Sequence, residues 1–211
     1  MTDGERVLDV GIGHAAYSLK KLIELGVSTT SIDIDFAALR RYKTPQAHFV
    51  RCNVAHLPFK EKQFDLSLAS FTFHEIAPLL HERVVSELSR VSKRIMIVEP
   101  TTGEDPVYRR YLEIWIAAMH SMNQFEDYQS IDYWSGLLEN NGANVVTAEK
   151  LSYRIRLHGE EANGFMRTAA EEMRDEGVSE EYVDRIMTLT KEVSEKGMIL
   201  SDINVIIAKT R

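Results

Sequence analysis

Between residues 6 and 99, short β-branched and aliphatic runs alternate with helical stretches, and no other feature of the chain constrains its fold as much. The runs at 7–10, 30–34, 48–52, 66–70 and 95–98 read as strands. The stretches 17–25, 36–42 and 80–91 between them read as helices, the first ended at Gly26 and the second stopped near Pro45. Strands and helices in strict alternation build a parallel sheet covered on both faces. Past Pro100 the rhythm breaks. Tyr108, Tyr111, Leu112, Trp115, Ile116 and Met119 recur at helical spacing within 106–122, and no strand follows directly. A helix at 132–140, ended by Asn141-Gly142, leads into an alternating segment at 145–155 suited to an antiparallel strand. Two strongly charged helices, 160–175 and 179–195, then precede a last strand at 203–208. Such a pair reads equally as a lid or dimer element and as solvated surface.

The 211 residues, 44% of them hydrophobic, are enough for one ordinary domain with a full core. The opening residues lack a secretory pattern, and no apolar run approaches the roughly 20 residues that span a bilayer, so a cytoplasmic protein without membrane contact is expected. Cys52 is the sole cysteine and reads as a buried, inert thiol, which excludes a disulfide framework or a cysteine metal site. A net charge of -7 argues against nucleic acid, which demands clustered Lys and Arg. Arg40-Arg41 and Arg109-Arg110 are solvated helix faces rather than a basic patch. His74, His81 and His120 lack metal-ligand spacing, so no metal is expected.

The chemistry starts at Val7-Leu8-Asp9-Val10-Gly11-Ile12-Gly13, where a strand runs into a glycine turn and then a helix. Gly11 and Gly13 let the backbone bend and approach a ligand, and the helix start offers free N–H groups. With Ala16 the pattern also satisfies a dinucleotide fingerprint, so an NAD-type oxidoreductase stays in play. Asp9 tilts the balance. A carboxylate there calls for a cationic partner, such as the ammonium group of an amino-acid moiety, and would repel a pyrophosphate.

Leu8-Asp9-Val10-Gly11-Ile12-Gly13 resembles the first motif of the class I S-adenosylmethionine-dependent methyltransferases, of the small-molecule "methyltransferase type 11" kind. His14 and Ala15 depart from the small residue and third glycine common there. Ser31-Ile32-Asp33-Ile34-Asp35 resembles the second motif. Asp33, twenty residues past Gly13, suits a ribose because a carboxylate accepts from both hydroxyls, whereas Asp35 reads as a helix N-cap. Asn53, with Leu57-Pro58-Phe59 and Phe64-Asp65 behind it, resembles the family's adenine-binding acid and its following turn, with an amide in place of the acid. The resemblance implies that Asp9, Gly11, Gly13, Asp33, Ile34, Asn53, Val54, Ser70 and Phe71 bind S-adenosylmethionine, with S-adenosylhomocysteine as product. It also implies a Rossmann-like, doubly wound, mostly parallel seven-stranded sheet with an antiparallel last strand. The expectation is one domain over 1–211, with helical insertions at about 103–131 and 158–198.

Residues 70–75 leave the fourth strand at the edge where ligands bind in open α/β sheets. His74 is the candidate general base, Glu75 its helper and Glu99 the reserve. Phe71, Phe73, Tyr108, Trp115 and Met119 are candidates for lining an acceptor pocket, against the plainer reading as core. The expected activity is methyl transfer to a small molecule. An oxidoreductase and a non-catalytic S-adenosylmethionine-binding protein are the alternatives, and a homodimer stays open.

Overall fold

The computed structural model describes residues 4–13, 16–152 and 154–211. His14 and Ala15 lie outside the described residues. In chain order run β1 (Arg6–Val10), α1 (Tyr17–Glu24), β2 (Ser28–Asp33), α2 (Phe36–Arg41), β3 (Ala47–Arg51), β4 (Leu66–Ser70) and a 3-10 turn (Phe73–Glu75). Then come α3 (Pro78–Val91), β5 (Arg94–Pro100), α4 (Pro106–Ser121), α5 (Ile131–Asn140) and β6 (Asn144–Leu151). The chain ends with β7 (Arg156–Leu157), α6 (Gly159–Asp175), α7 (Glu180–Lys196), β8 (Met198–Ile199) and β9 (Ile203–Lys209). They fall into two compact units. The first holds the chain through Glu99 together with 129–150 and 204–211, and the second holds Pro100–Tyr128 and Leu151–Ile203.

In the first unit seven strands lie in the order β3-β2-β1-β4-β5-β9-β6. β1 pairs in parallel with both β2 and β4, and β2–β3 and β4–β5 are parallel as well, while the last strand makes the sheet mixed. The chain leaves β1 toward β2 on one side and takes up β4 on the other. The carboxyl ends of β1 and β4 therefore flank a switch in strand order, where a crevice opens.

Alternation along β1 sends Leu8 and Val10 to one face and Val7 and Asp9 to the other. Leu8 and Val10 pack with Val84, Leu88 and Val91 of α3 and Trp134 and Leu138 of α5, all fully or nearly fully buried. Val7 packs with Leu22 of α1 and with Leu66 and Leu68. The helix read from residue 80 begins earlier, at Pro78, because proline is preorganised for the first helical position, where its missing N–H costs nothing.

The second unit has a core of its own. Tyr111, Leu112 and Ala118 of α4 pack with Met166, Ala170 and Met173 of α6 and with Val183, Ile186 and Val193 of α7. The two charged helices thus each hide an apolar stripe, as amphipathic helices do. The single strand read over 145–155 is shorter than expected. β6 stops at Leu151, and Arg156–Leu157 forms a separate antiparallel ladder with β8, Arg156 opposite Ile199 and Leu157 opposite Met198. Strands of two residues are too short to carry a periodic signal. Among the described residues no helix is long and apolar enough to cross a membrane.

Candidate active site

At the end of β1 the backbone turns through Gly11 at φ +76° and Gly13 at φ +61°. The Gly11 N–H donates to Ile32 O at 2.9 Å, and Thr72 Oγ1, beyond β4, donates to Val10 O at 2.8 Å. A Cβ on Gly11 would stand 2.7 Å from Thr72 Oγ1. Glycine is therefore required twice over at this position, by conformation and by space. Ala16, itself in the left-handed region, opens α1 without a side-chain cap, which leaves that turn's donors to a ligand or solvent.

Beneath this turn Asp9 is wholly buried. Its Oδ2 accepts from the Ser31 hydroxyl at 2.8 Å, and its Oδ1, also buried, has no hydrogen-bond partner among the described residues. Burial pushes the carboxyl from 3.8 up to about 6, against the pull of Ser18 and Ser31, and the charge of Asp33 adds to the rise. A buried carboxylate oxygen without a donor is costly.

Asp33, at the end of β2, spans the turn: Oδ2 accepts from Ile12 N–H at 2.9 Å and Oδ1 from Asp35 N–H at 2.8 Å. Each oxygen keeps a second lone pair for a ligand hydroxyl. Asp35 caps α2, accepting from the N–H groups of Ala37 and Ala38. Next to Asp33, Ile34 is 64% exposed, an apolar side chain left in water at the edge of the crevice. Asn53 Oδ1 accepts from Ala55 N–H at 2.9 Å, and its backbone carbonyl from His56 N–H at the same distance, so this side chain closes a turn. Val54 follows, partly buried against the core. The Leu57-Pro58-Phe59 turn is clamped from α3. Glu87 takes the Leu57 N–H at 2.8 Å and Arg90 donates to the carbonyls of Leu57 and Phe59, while the Arg90 guanidinium draws the Glu87 carboxyl down to about 2.

The end of β4 carries the densest polar network. After the half-buried Ser70, Phe71 sits at φ 55°, a conformation costly for a bulky residue, and is 47% exposed. Glu99, 1% exposed at the end of β5, reaches across to the next residues. Its Oε1 accepts from the N–H groups of Thr72 at 2.8 Å and Phe73 at 2.7 Å. Its Oε2 takes the Nδ1 proton of His74 at 2.7 Å and, at 3.4 Å, the His74 N–H. Sequence adjacency points to Glu75 as the helper of His74, but the carboxylate on the ring is that of Glu99, and Glu75 is exposed. Phe73 is fully buried against His81 and Trp134, which makes it core rather than pocket lining. Tyr108 and Met119 likewise lie in the core of the second unit, with Trp115 packed against it. His81 is structural: Nε2 donates to Phe73 O and Ile76 O, and Nδ1 meets the Tyr133 hydroxyl at 3.0 Å. Thr72, which ties β4 to β1, is a contributor that sequence reasoning missed, because nothing local marks a threonine as a bridge between strands 62 positions apart. Among the described residues no cluster of His, Cys, Asp and Glu could hold a metal.

The edge thus offers a buried carboxylate with an oxygen unsatisfied among the described residues next to a glycine turn, a second carboxylate with lone pairs to spare, and exposed apolar side chains beside it. These features fit an ammonium group, a ribose and an adenine ring respectively, which are the parts of S-adenosylmethionine. Comparison with known proteins agrees. Residues 8–95 match the methyltransferase domain family. An uncharacterized methyltransferase, sll0829, of Synechocystis is 33% identical over 95 residues, 44% of each chain. A demethylmenaquinone methyltransferase of Beutenbergia cavernae is 29% identical over 146 residues, 62% of this chain and 60% of that one. The chain therefore spans about half the length of the curated relatives it matches. The crystal structure of a SAM-dependent methyltransferase of Methanosarcina mazei superposes with a TM-score of 0.63 at 16% identity, covering 100% of this chain and 94% of the other. Through residues 8–95 and the sheet they help to build, this chain is similar to S-adenosylmethionine-dependent methyltransferases.

Proposed function

We propose that the protein transfers a methyl group from S-adenosylmethionine to a small apolar or aromatic molecule in the cytoplasm, with His74 as general base. The observation that carries this reading is the buried Asp9 carboxylate, two residues before the Gly11–Gly13 turn, whose Oδ1 lacks a donor among the described residues. When bound, the cofactor supplies an electrophilic methyl on a sulfonium sulfur. Asp9 holds its ammonium end, Asp33 its ribose hydroxyls, and Ile34, Val54 and Asn53 its adenine. Gly11 and Gly13 let the main chain come close, and Ser70 and Phe71 close the crevice from β4. Orientation of the reacting atoms in line contributes much of the acceleration in such displacements, and His74 removes a proton from the acceptor. The net charge of -7 favours a small acceptor over nucleic acid. The name of the Beutenbergia relative makes hydroquinone-type rings the first acceptors to try.

Calorimetric titration with S-adenosylmethionine, S-adenosylhomocysteine and NAD tests the cofactor. Binding of both S-adenosyl compounds is expected, and NAD binding in their place would replace this reading with an oxidoreductase. Product formation from a radiolabelled methyl donor and a panel of aromatic acceptors tests the reaction. Binding without turnover on any acceptor would favour a non-catalytic S-adenosylmethionine-binding protein.

A further inference from the structure

We propose that Glu99 is a positioning residue that locks the His74 ring with its proton on Nδ1, and that the acceptor consequently carries an ionisable hydroxyl, whose proton passes to His74 Nε2. The inference rests on the reading of His74 as the base and goes beyond it in naming what fixes the base and what it deprotonates.

The argument starts from donors and acceptors. A carboxylate only accepts, so the ring nitrogen 2.7 Å from Glu99 Oε2 bears a hydrogen. In the neutral ring Nε2 then has the basic lone pair. Glu99 cannot easily swing away, because its Oε1 holds the N–H groups of Thr72 and Phe73, and it is 1% exposed. One side chain therefore builds the turn that carries His74 and sets the ring's tautomer. Glu75 is placed differently: successive side chains in a 3-10 turn diverge by a third of a revolution.

A base fixed in this way has a use only if the acceptor has a proton to lose. A tertiary amine or a thioether has none, whereas a phenolic or enolic hydroxyl does. In the step, the O–H bond breaks and its electron pair stays on oxygen. The Nε2 lone pair takes the proton, giving an imidazolium beside the Glu99 carboxylate and an electron-rich acceptor. After methyl transfer the imidazolium returns the proton to solvent. The exposed Phe71, edge-on to the His74 ring at a centroid distance of 6.5 Å, offers an apolar surface beside the base that suits an aromatic acceptor.

The test uses the Glu99→Gln variant of the full chain. Its amide oxygen is able to keep the bonds to Thr72 and Phe73, and its NH2 then faces Nδ1, which must give up its proton and leave it on Nε2. Nitrogen-15 NMR of histidine-labelled protein in mildly alkaline buffer reads the tautomer without any substrate. The expected result is an Nδ1-protonated His74 in the wild type and an Nε2-protonated one in the variant, with S-adenosylmethionine affinity in calorimetry changed less than about threefold. Methylation of hydroquinone and 1-naphthol should fall on the order of 10²–10⁴-fold in the variant, the range lost with a general base. In the wild type the fully O-methylated counterparts of these acceptors should not turn over. An Nε2-protonated His74 in the wild type, an unchanged tautomer in the variant, or faster methylation of dimethylaniline or of the O-methylated compounds would overturn the proposal. The wild-type tautomer and acceptor preference stand as tests even if the variant fails to fold. Loss of S-adenosyl binding in the wild type, by contrast, would overturn the proposed function itself.

Discussion

Two carboxylates lie buried at the same edge of one sheet, Asp9 on β1 and Glu99 on β5, and their surroundings are opposite. Glu99 receives three backbone N–H groups and an imidazole, so the protein itself satisfies it. Asp9 accepts from the Ser31 hydroxyl, with Ser18 pulling the same way, and keeps a buried Oδ1 with no hydrogen-bond partner among the described residues. A saturated buried acid builds structure, because removing it strands the donors it holds. An undersupplied one destabilises the ligand-free fold and is justified by what binds there. The same residue chemistry thus yields a saturated acid and an undersupplied one through donor supply alone.

The largest expected effect comes from breaking the saturated side. Glu99→Ala leaves the turn's N–H groups without acceptors and should cost about 3–5 kcal/mol in urea unfolding, at about 1–3 kcal/mol for each stranded buried donor. A loss below about 1 kcal/mol would mean that the turn stands without it.

Asp9→Asn should act in the other direction, raising stability at neutral pH by about 3 kcal/mol at 1.36 kcal/mol per pKa unit. The folded value of about 6 lies above the ordinary 3.8, so the penalty is absent at pH values below 3.8, grows as pH rises toward 6, and is constant above. Thermal melts of the cofactor-free wild type and variant should accordingly converge in acid and separate at neutrality. The variant should bind S-adenosylmethionine about 10–100-fold more weakly, the value of one charge-assisted hydrogen bond. Wild-type affinity should rise with pH through about 6, because a bound ammonium favours the ionised acid. A variant that binds as well as wild type would remove Asp9 from the cofactor site.

Gly11→Ala probes the turn that follows β1. The left-handed backbone and the contact with Thr72 Oγ1 together should cost about 2–3 kcal/mol, with S-adenosyl binding lost in calorimetry. The smallest expected effect is at Phe71. Replacing it by glycine relieves its positive φ and should stabilise the fold by up to about 1 kcal/mol in the same unfolding assay, while slowing turnover of aromatic acceptors. Stabilisation with turnover intact would make that strain incidental to the site.

Much of this edge was legible in the sequence. The order of strands and helices through residue 99, the glycine turn, Asp9 and Asp33 all follow from local patterns, because periodicity and backbone chemistry act over a few residues. The partner of His74 was not legible in that way. Glu75 is its neighbour along the chain, while Glu99, twenty-five positions away, is its neighbour across the sheet, and only the pairing of β4 with β5 brings it there.

The sequence by itself determined that an alternating α/β chain places a glycine turn and two strand-end acids at the carboxyl edge of the sheet, since strand ends and turns are written in neighbouring residues. Tertiary structure alone decided which acid is satisfied and which is left wanting, and that residues 100–128 and 151–203 form a unit with its own core. Hydrogen-bond supply to a buried group is a property of everything that converges on it, and strand register and helix packing bring those groups together from distant parts of the chain.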